Sequence, residues 1–213
     1  MGKLRNLITA AMLAVSFGSA ASAVTVTDTI EPGSPTSTYS AQARGYWFTA
    51  PTDFVITGLD IPTYASTAGI YATIVKINTT VPLFPSSTSN YTILYQVLNS
   101  STALTGLNIS VAAGEQIGVL GYRGGVNAMT NSPYTLDLFG YSTTLKRLGT
   151  NTHITSGLST SIWGMETGQM SFISLSVALP GEPELPAVPL PASAPLLAAG
   201  LGLIAVVRRR KSA

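Results

Sequence analysis

Leu107-Asn108-Ile109-Ser110-Val111-Ala112-Ala113-Gly114-Glu115-Gln116-Ile117-Gly118-Val119-Leu120 decides the fold class. Leu107, Ile109 and Val111 alternate with Asn108 and Ser110, the two-residue period of a strand with one buried face. Four small or polar residues follow, with Gly114 free to take positive φ, and an apolar run resumes at Gln116. The reading is strand, tight turn, strand, a hairpin by turn chemistry, with Glu115 in a solvated turn.

The same period recurs on either side. Tyr91, Ile93, Tyr95 and Val97 alternate with Thr92, Leu94 and Gln96, and Ile173, Leu175, Val177 and Leu179 alternate with Ser174, Ser176 and Ala178. Further strands are expected at 46–49, 54–61, 70–77, 134–139 and 143–148, separated by Gly, Pro, Ser and Asn. About nine short strands and no amphipathic helix predict an all-β antiparallel sandwich of jelly-roll type spanning residues 24–180. Without cysteine this domain has to be held by its core alone, and a chain of about 150 residues buries enough surface for that.

The two ends read differently. Lys3 and Arg5, an apolar stretch over 7–17, and Ala21-Ser22-Ala23 form a signal peptide, residues 1–23, cleaved by signal peptidase after Ala23. Residues 181–191 form a Pro/Glu-rich spacer. It runs into Val188-Pro189-Leu190-Pro191-Ala192, an apolar segment ending at Val207, and Arg208, Arg209, Arg210 and Lys211. An apolar run of about 20 residues spans a bilayer, and the basic cluster stays on the cytoplasmic side, so residues 192–213 are expected to be one transmembrane helix with its basic tail.

Motif, apolar segment and basic cluster in this order resemble the VPLPA variant of the PEP-CTERM sorting domains of Gram-negative bacteria. The resemblance implies recognition by an exosortase, an integral-membrane transpeptidase-like enzyme. It also implies cleavage near the proline motif and delivery to the cell surface or the extracellular polysaccharide. The body resembles the β-rich domains attached to such tails, and no motif in it carries a function over.

Of the eleven basic residues, six lie in these two ends; Arg44, Lys76, Arg123, Lys146 and Arg147 remain against all nine acids, a net charge of −4 for residues 24–187. Five scattered cations do not make a nucleic-acid face. His153, the one histidine, lies in a polar loop, no serine sits in a nucleophile motif, and no Asp/Glu cluster suggests a metal or any other cofactor. Asp53, Asp60, Glu115, Asp137 and Glu166 are the acids from which a hydrolase would need a facing pair.

Binding is the stronger expectation, because sugar faces pack on projecting aromatic rings whose polar edges hydrogen-bond. The candidates are Tyr46, Trp47, Tyr122, Arg123, Tyr141 and Trp163. Alternation buries at least one of Tyr46, Trp47 and Phe48, whereas Tyr122-Arg123-Gly124-Gly125 reads as an exposed loop. The expectation is a non-enzymatic surface or matrix protein, structural or carbohydrate-binding. The alternatives are a polysaccharide-modifying hydrolase and a plain membrane-anchored periplasmic domain.

Overall fold

The alternation read from the sequence becomes strand throughout. The computed structural model describes residues 26–181, and the signal peptide, sorting motif and membrane segment lie outside the described residues. Fourteen strands occur in chain order: β1 (Thr27–Ile30), β2 (Ser37–Ser40), β3 (Arg44–Thr49), β4 (Phe54–Asp60), β5 (Ile70–Ile77), β6 (Tyr91–Ser100), β7 (Leu104–Val111), β8 (Gln116–Arg123), β9 (Val126–Ser132), β10 (Tyr134–Leu138), β11 (Tyr141–Thr150), β12 (Ile162–Met165), β13 (Gly168–Ser171) and β14 (Ser174–Ala178). The nine expected strands are all present, and β1, β2, β9, β12 and β13 were not foreseen. Those five are short or rich in Thr, Ser, Gly and Asn, and tertiary pairing rather than local pattern makes them strands.

All strand pairs are antiparallel. One sheet runs β1-β14-β4-β7; the other follows β10-β11-β3-β8-β5-β6, with β12 on β11 and with β9 joining β8, β2 and β13. Ile30, Ile56, Leu59, Leu175 and Val177 of the first sheet share one buried cluster with Phe48, Ile70, Ile74, Ile117 and Val119 of the second. Each such side chain contributes roughly 1.5–3 kcal/mol of burial. The opposite face of the larger sheet is also covered: Val75, Leu120, Tyr122 and Leu148 pack with Ile154, Leu158 and Ile162. Burial on both faces explains why β5 and β8 read as near-continuous apolar runs rather than alternating ones.

The hairpin expected at 107–120 is a correction. β7 pairs with β4 in one sheet, whereas β8 pairs with β3 and β5 in the other, so the chain crosses between sheets at 112–115. The turn chemistry is as read, with Gly114 at φ 82. Its partner, however, is the β3–β4 crossing: Gly114 N donates to Ala50 O at 2.8 Å, Ala50 N to Glu115 O at 2.9 Å, and Ala113 N to Asp53 Oδ1 at 2.7 Å. Two crossings tied side by side satisfy each other's backbone, which local turn residues do not reveal. A true two-residue hairpin joins β8 to β9 through Gly124 and Gly125, both at positive φ, so Tyr122 and Arg123 end a central strand rather than forming an exposed loop.

Candidate functional site

Register sets the site. Gly149 of β11 lies opposite both Arg44 of β3 and Trp163 of β12, while Arg147 lies opposite Tyr46 and Met165. Directly opposed residues share a sheet face, so the two arginines and the indole occupy adjoining rows of one face. Glycine at 149 makes room for the indole: a Cβ there would stand 2.6 Å from Trp163 Cη2. Gly168, at φ 117, likewise leaves space where a Cβ would meet Arg147 Nη1 at 2.8 Å.

The Arg44 and Arg147 guanidinium carbons sit 5.0 and 5.3 Å from the Trp163 ring centroid. A shared π face attracts both cations and offsets part of their mutual repulsion. The indole N–H donates to Asn151 Oδ1 at 3.0 Å, and the Phe84 ring meets Trp163 edge-on at 5.3 Å while remaining 56% exposed. Two openings, about 380 and 330 Å³, flank the pair, and Arg44 and Arg147 line both. Tyr39 and Gln169 border the first; Gln42 and Phe84 border the second.

The hydrogen bonding of the two cations is incomplete. Arg44 Nη1 donates to Ala43 O and Thr150 O at 3.1 and 2.7 Å, and Nη2 donates to Tyr39 Oη and Gln42 Oε1, each at 3.2 Å. Its Nε is buried with no acceptor among the described residues, as is the Nε of Arg147. Among the described residues no carboxylate forms an ion pair with either arginine; the ion pairs are Lys76–Glu115, Arg123–Asp60 and Lys146–Glu166. Burial lowers the pKa of both guanidiniums; the Tyr39 phenol opposes this, and the charge of Arg147 lowers Arg44 further. Both remain charged at neutral pH, since arginine is not deprotonated in proteins.

The six residues expected at a binding surface fall in different places. Tyr46 is fully buried and donates to Ile173 O at 3.0 Å, and burial pushes its pKa strongly up. Tyr122 is fully buried too, its hydroxyl accepting from Ile154 N at 2.9 Å. Arg123 is 6% exposed and donates to Ile61 O, Ala68 O and Asp60 Oδ1. These three are structural side chains, a correction to the projecting platform, because the inward phase of β3 and the double-sided burial of β8 enclose them. Trp47 is half-buried beneath Lys146, whose Nζ lies 5.3 Å from its ring. Tyr141 is 52% exposed at the start of β11, away from the others in register, and Trp163 is 4% exposed beneath the arginines.

Sequence reasoning missed Arg44, Arg147 and Phe84, and treated the five cations as scattered. One signal was legible: Arg44-x-Tyr46-x-Phe48 and Leu145-x-Arg147 each put an arginine in the inward phase of an alternating strand. The acids are held locally. Asp60, Glu115 and Glu166 pair with cations, Asp53 accepts from Ala113 N, and Asp137 accepts from Gly140 N at 2.8 Å. His153 is exposed in a loop, as expected.

The C-terminal segment supplies the address. Residues 187–211 match the PEP-CTERM protein-sorting motif. The chain carries a PEP-CTERM sorting signal. This motif implies export and exosortase-dependent sorting toward the cell surface, so exosortase is the implied processing partner. No curated protein and no solved structure matches the chain.

Proposed function

We propose that this chain is an exosortase-sorted surface or matrix protein whose β domain, a two-layer sandwich of its antiparallel sheets, binds extracellular polysaccharide without transforming it. The observation that carries the reading is the cleft between Arg44 and Arg147, where buried donors lack acceptors and an exposed aromatic edge stands at the mouth. The sorting motif supplies the setting in which such donors meet a glycan. A signal peptide over 1–23 and a membrane helix within 192–213 complete the proposed route. Each of the five acids from which a hydrolase would draw its pair is engaged by a cation or a backbone N–H, which favours binding over hydrolysis. One weak site per copy gains strength when many copies share a polymer.

The test is fractionation of producing cells, with the intact mass and C-terminus of the mature chain, followed by retention on the producer's own polysaccharide. We expect a terminus within residues 188–192, an outer-fraction location and retention. A chain ending at Ala213 in the inner membrane would instead make it a plain anchored periplasmic domain. Release of shortened glycan during retention would make it a hydrolase.

A further inference from the structure

We infer that the Arg44–Arg147 cleft takes the carboxylate of an acidic sugar, a uronic-acid residue within a polysaccharide. This rests on the polysaccharide reading above and names its ligand class. Between the two guanidiniums the cleft presents mainly donors. The side chain of Arg147 makes no hydrogen bond to the described residues, Arg44 has its Nε uncommitted, and the nearby acceptors Gln42 Oε1 and Asn151 Oδ1 are already engaged by Arg44 and Trp163. A neutral sugar hydroxyl can accept from a guanidinium, but it brings no charge to match the two cations, and its own proton meets few acceptors between them. A carboxylate accepts only, and its two oxygens match the planar fork of a guanidinium.

Charge points the same way. Two neighbouring cations, 7% exposed in the case of Arg44, are held within 5.3 Å of one indole centroid in a domain whose net charge is negative. An anion entering the cleft restores the lost solvation of both, whereas elsewhere the acidic domain repels it. The openings, about 330 and 380 Å³, are at the low end for ligand sites, a size for a sugar residue or two rather than a large cofactor. Phe84, 56% exposed, offers the C–H face of such a ring an apolar surface beside the cations. Trp163 touches both guanidiniums and is 4% exposed, so it is a positioning residue rather than a stacking platform.

The experiment is calorimetric titration of the full chain in mild detergent with four probes: an oligogalacturonate, its fully methyl-esterified form, a sulfated oligosaccharide and sodium sulfate. We expect binding of the oligogalacturonate that weakens with added salt, and at least about tenfold weaker binding of the ester, the size of a lost charged hydrogen bond. Arg147→Gln should lose about tenfold or more, and Arg147→Lys, which keeps charge but not the fork, should not restore the affinity. Thermal melts establish that each variant is folded, and the ester comparison on the unaltered protein needs no variant. Equal binding of ester and acid would overturn the inference while leaving the polysaccharide reading intact. Tighter binding of the sulfated sugar, or equal competition by sodium sulfate, would overturn the carboxylate assignment in favour of a general anion site. Binding of none of the probes would overturn the carboxylate inference, and with no retention on the producer's own polysaccharide it would sink both readings.

Discussion

Arg123 and Arg147 sit on strands of the same sheet, and their surroundings differ in one respect. Arg123, at the end of β8, donates to two backbone carbonyls and to Asp60. Arg147, in the middle of β11, has neither a carboxylate nor a carbonyl acceptor among the described residues, only the indole face of Trp163. A buried cation whose donors are matched by its own fold holds that fold together. One whose donors are left over carries an electrostatic cost that a ligand relieves. Arg44 lies between these cases, with four donor contacts and a buried Nε without an acceptor.

The comparison can be broken by substitution. Arg123→Met should produce the largest loss, about 3 kcal/mol, because two carbonyls and a carboxylate lose their donor in a strand buried on both faces. Urea unfolding reads it, and a loss below 1 kcal/mol would show that Arg123 is as dispensable as its counterpart. Gly149→Ala comes next, at about 2 kcal/mol, since the new Cβ would meet the indole at 2.6 Å and push it away from the cations. A thermal melt of this variant, run with the oligogalacturonate present, should show that the ligand no longer raises Tm.

Arg147→Met sharpens the contrast. Removing a half-buried cation that has no carboxylate or carbonyl acceptor among the described residues should change stability by less than about 0.5 kcal/mol, or raise it. A loss comparable to that of Arg123→Met would overturn the distinction between the two arginines. A comparably small effect belongs to the half-buried Lys76–Glu115 pair. The Lys76 hydrogen bond holds the Glu115 pKa below its ordinary value of 4.5, against opposition from burial, with help from Ala112 N–H and the Lys76 charge. A depressed carboxylate pKa contributes stability above the ordinary value that is lost as pH falls through the folded one. Lys76→Met should therefore cost about 0.5 kcal/mol or less at pH 7, the range of a solvent-screened pair, and the gap to the unaltered protein should narrow as pH falls through the folded value. Melts at pH 7 and pH 3 read the difference; a gap that persists at pH 3 would mean that Lys76 acts through packing.

Most of the strands were legible because one buried face imposes a period of two on the residues themselves. β5 was bounded correctly from end to end, and β6, β7 and β14 were read from alternation alone. β2, with Ser37, Thr38 and Ser40, and β13, with Gly168 and Gln169, carry no such pattern, because both pair with β9 and are strands through that partner. The candidate site was less legible than the fold. The expected set of projecting aromatics includes Trp163, which does lie at the site, and also Tyr46 and Tyr122, which the core encloses.

What the sequence determined by itself is the address and the class of fold. Sorting signals are read as linear strings, and a half-exposed strand writes its environment into every second residue. Only the tertiary structure decided that 112–115 is a crossing between sheets rather than a hairpin, and that Arg44 and Arg147, 103 positions apart in the chain, meet over one indole. Pairing between β3, β11 and β12 is a long-range matter of register, and no local pattern records which strand will lie beside which.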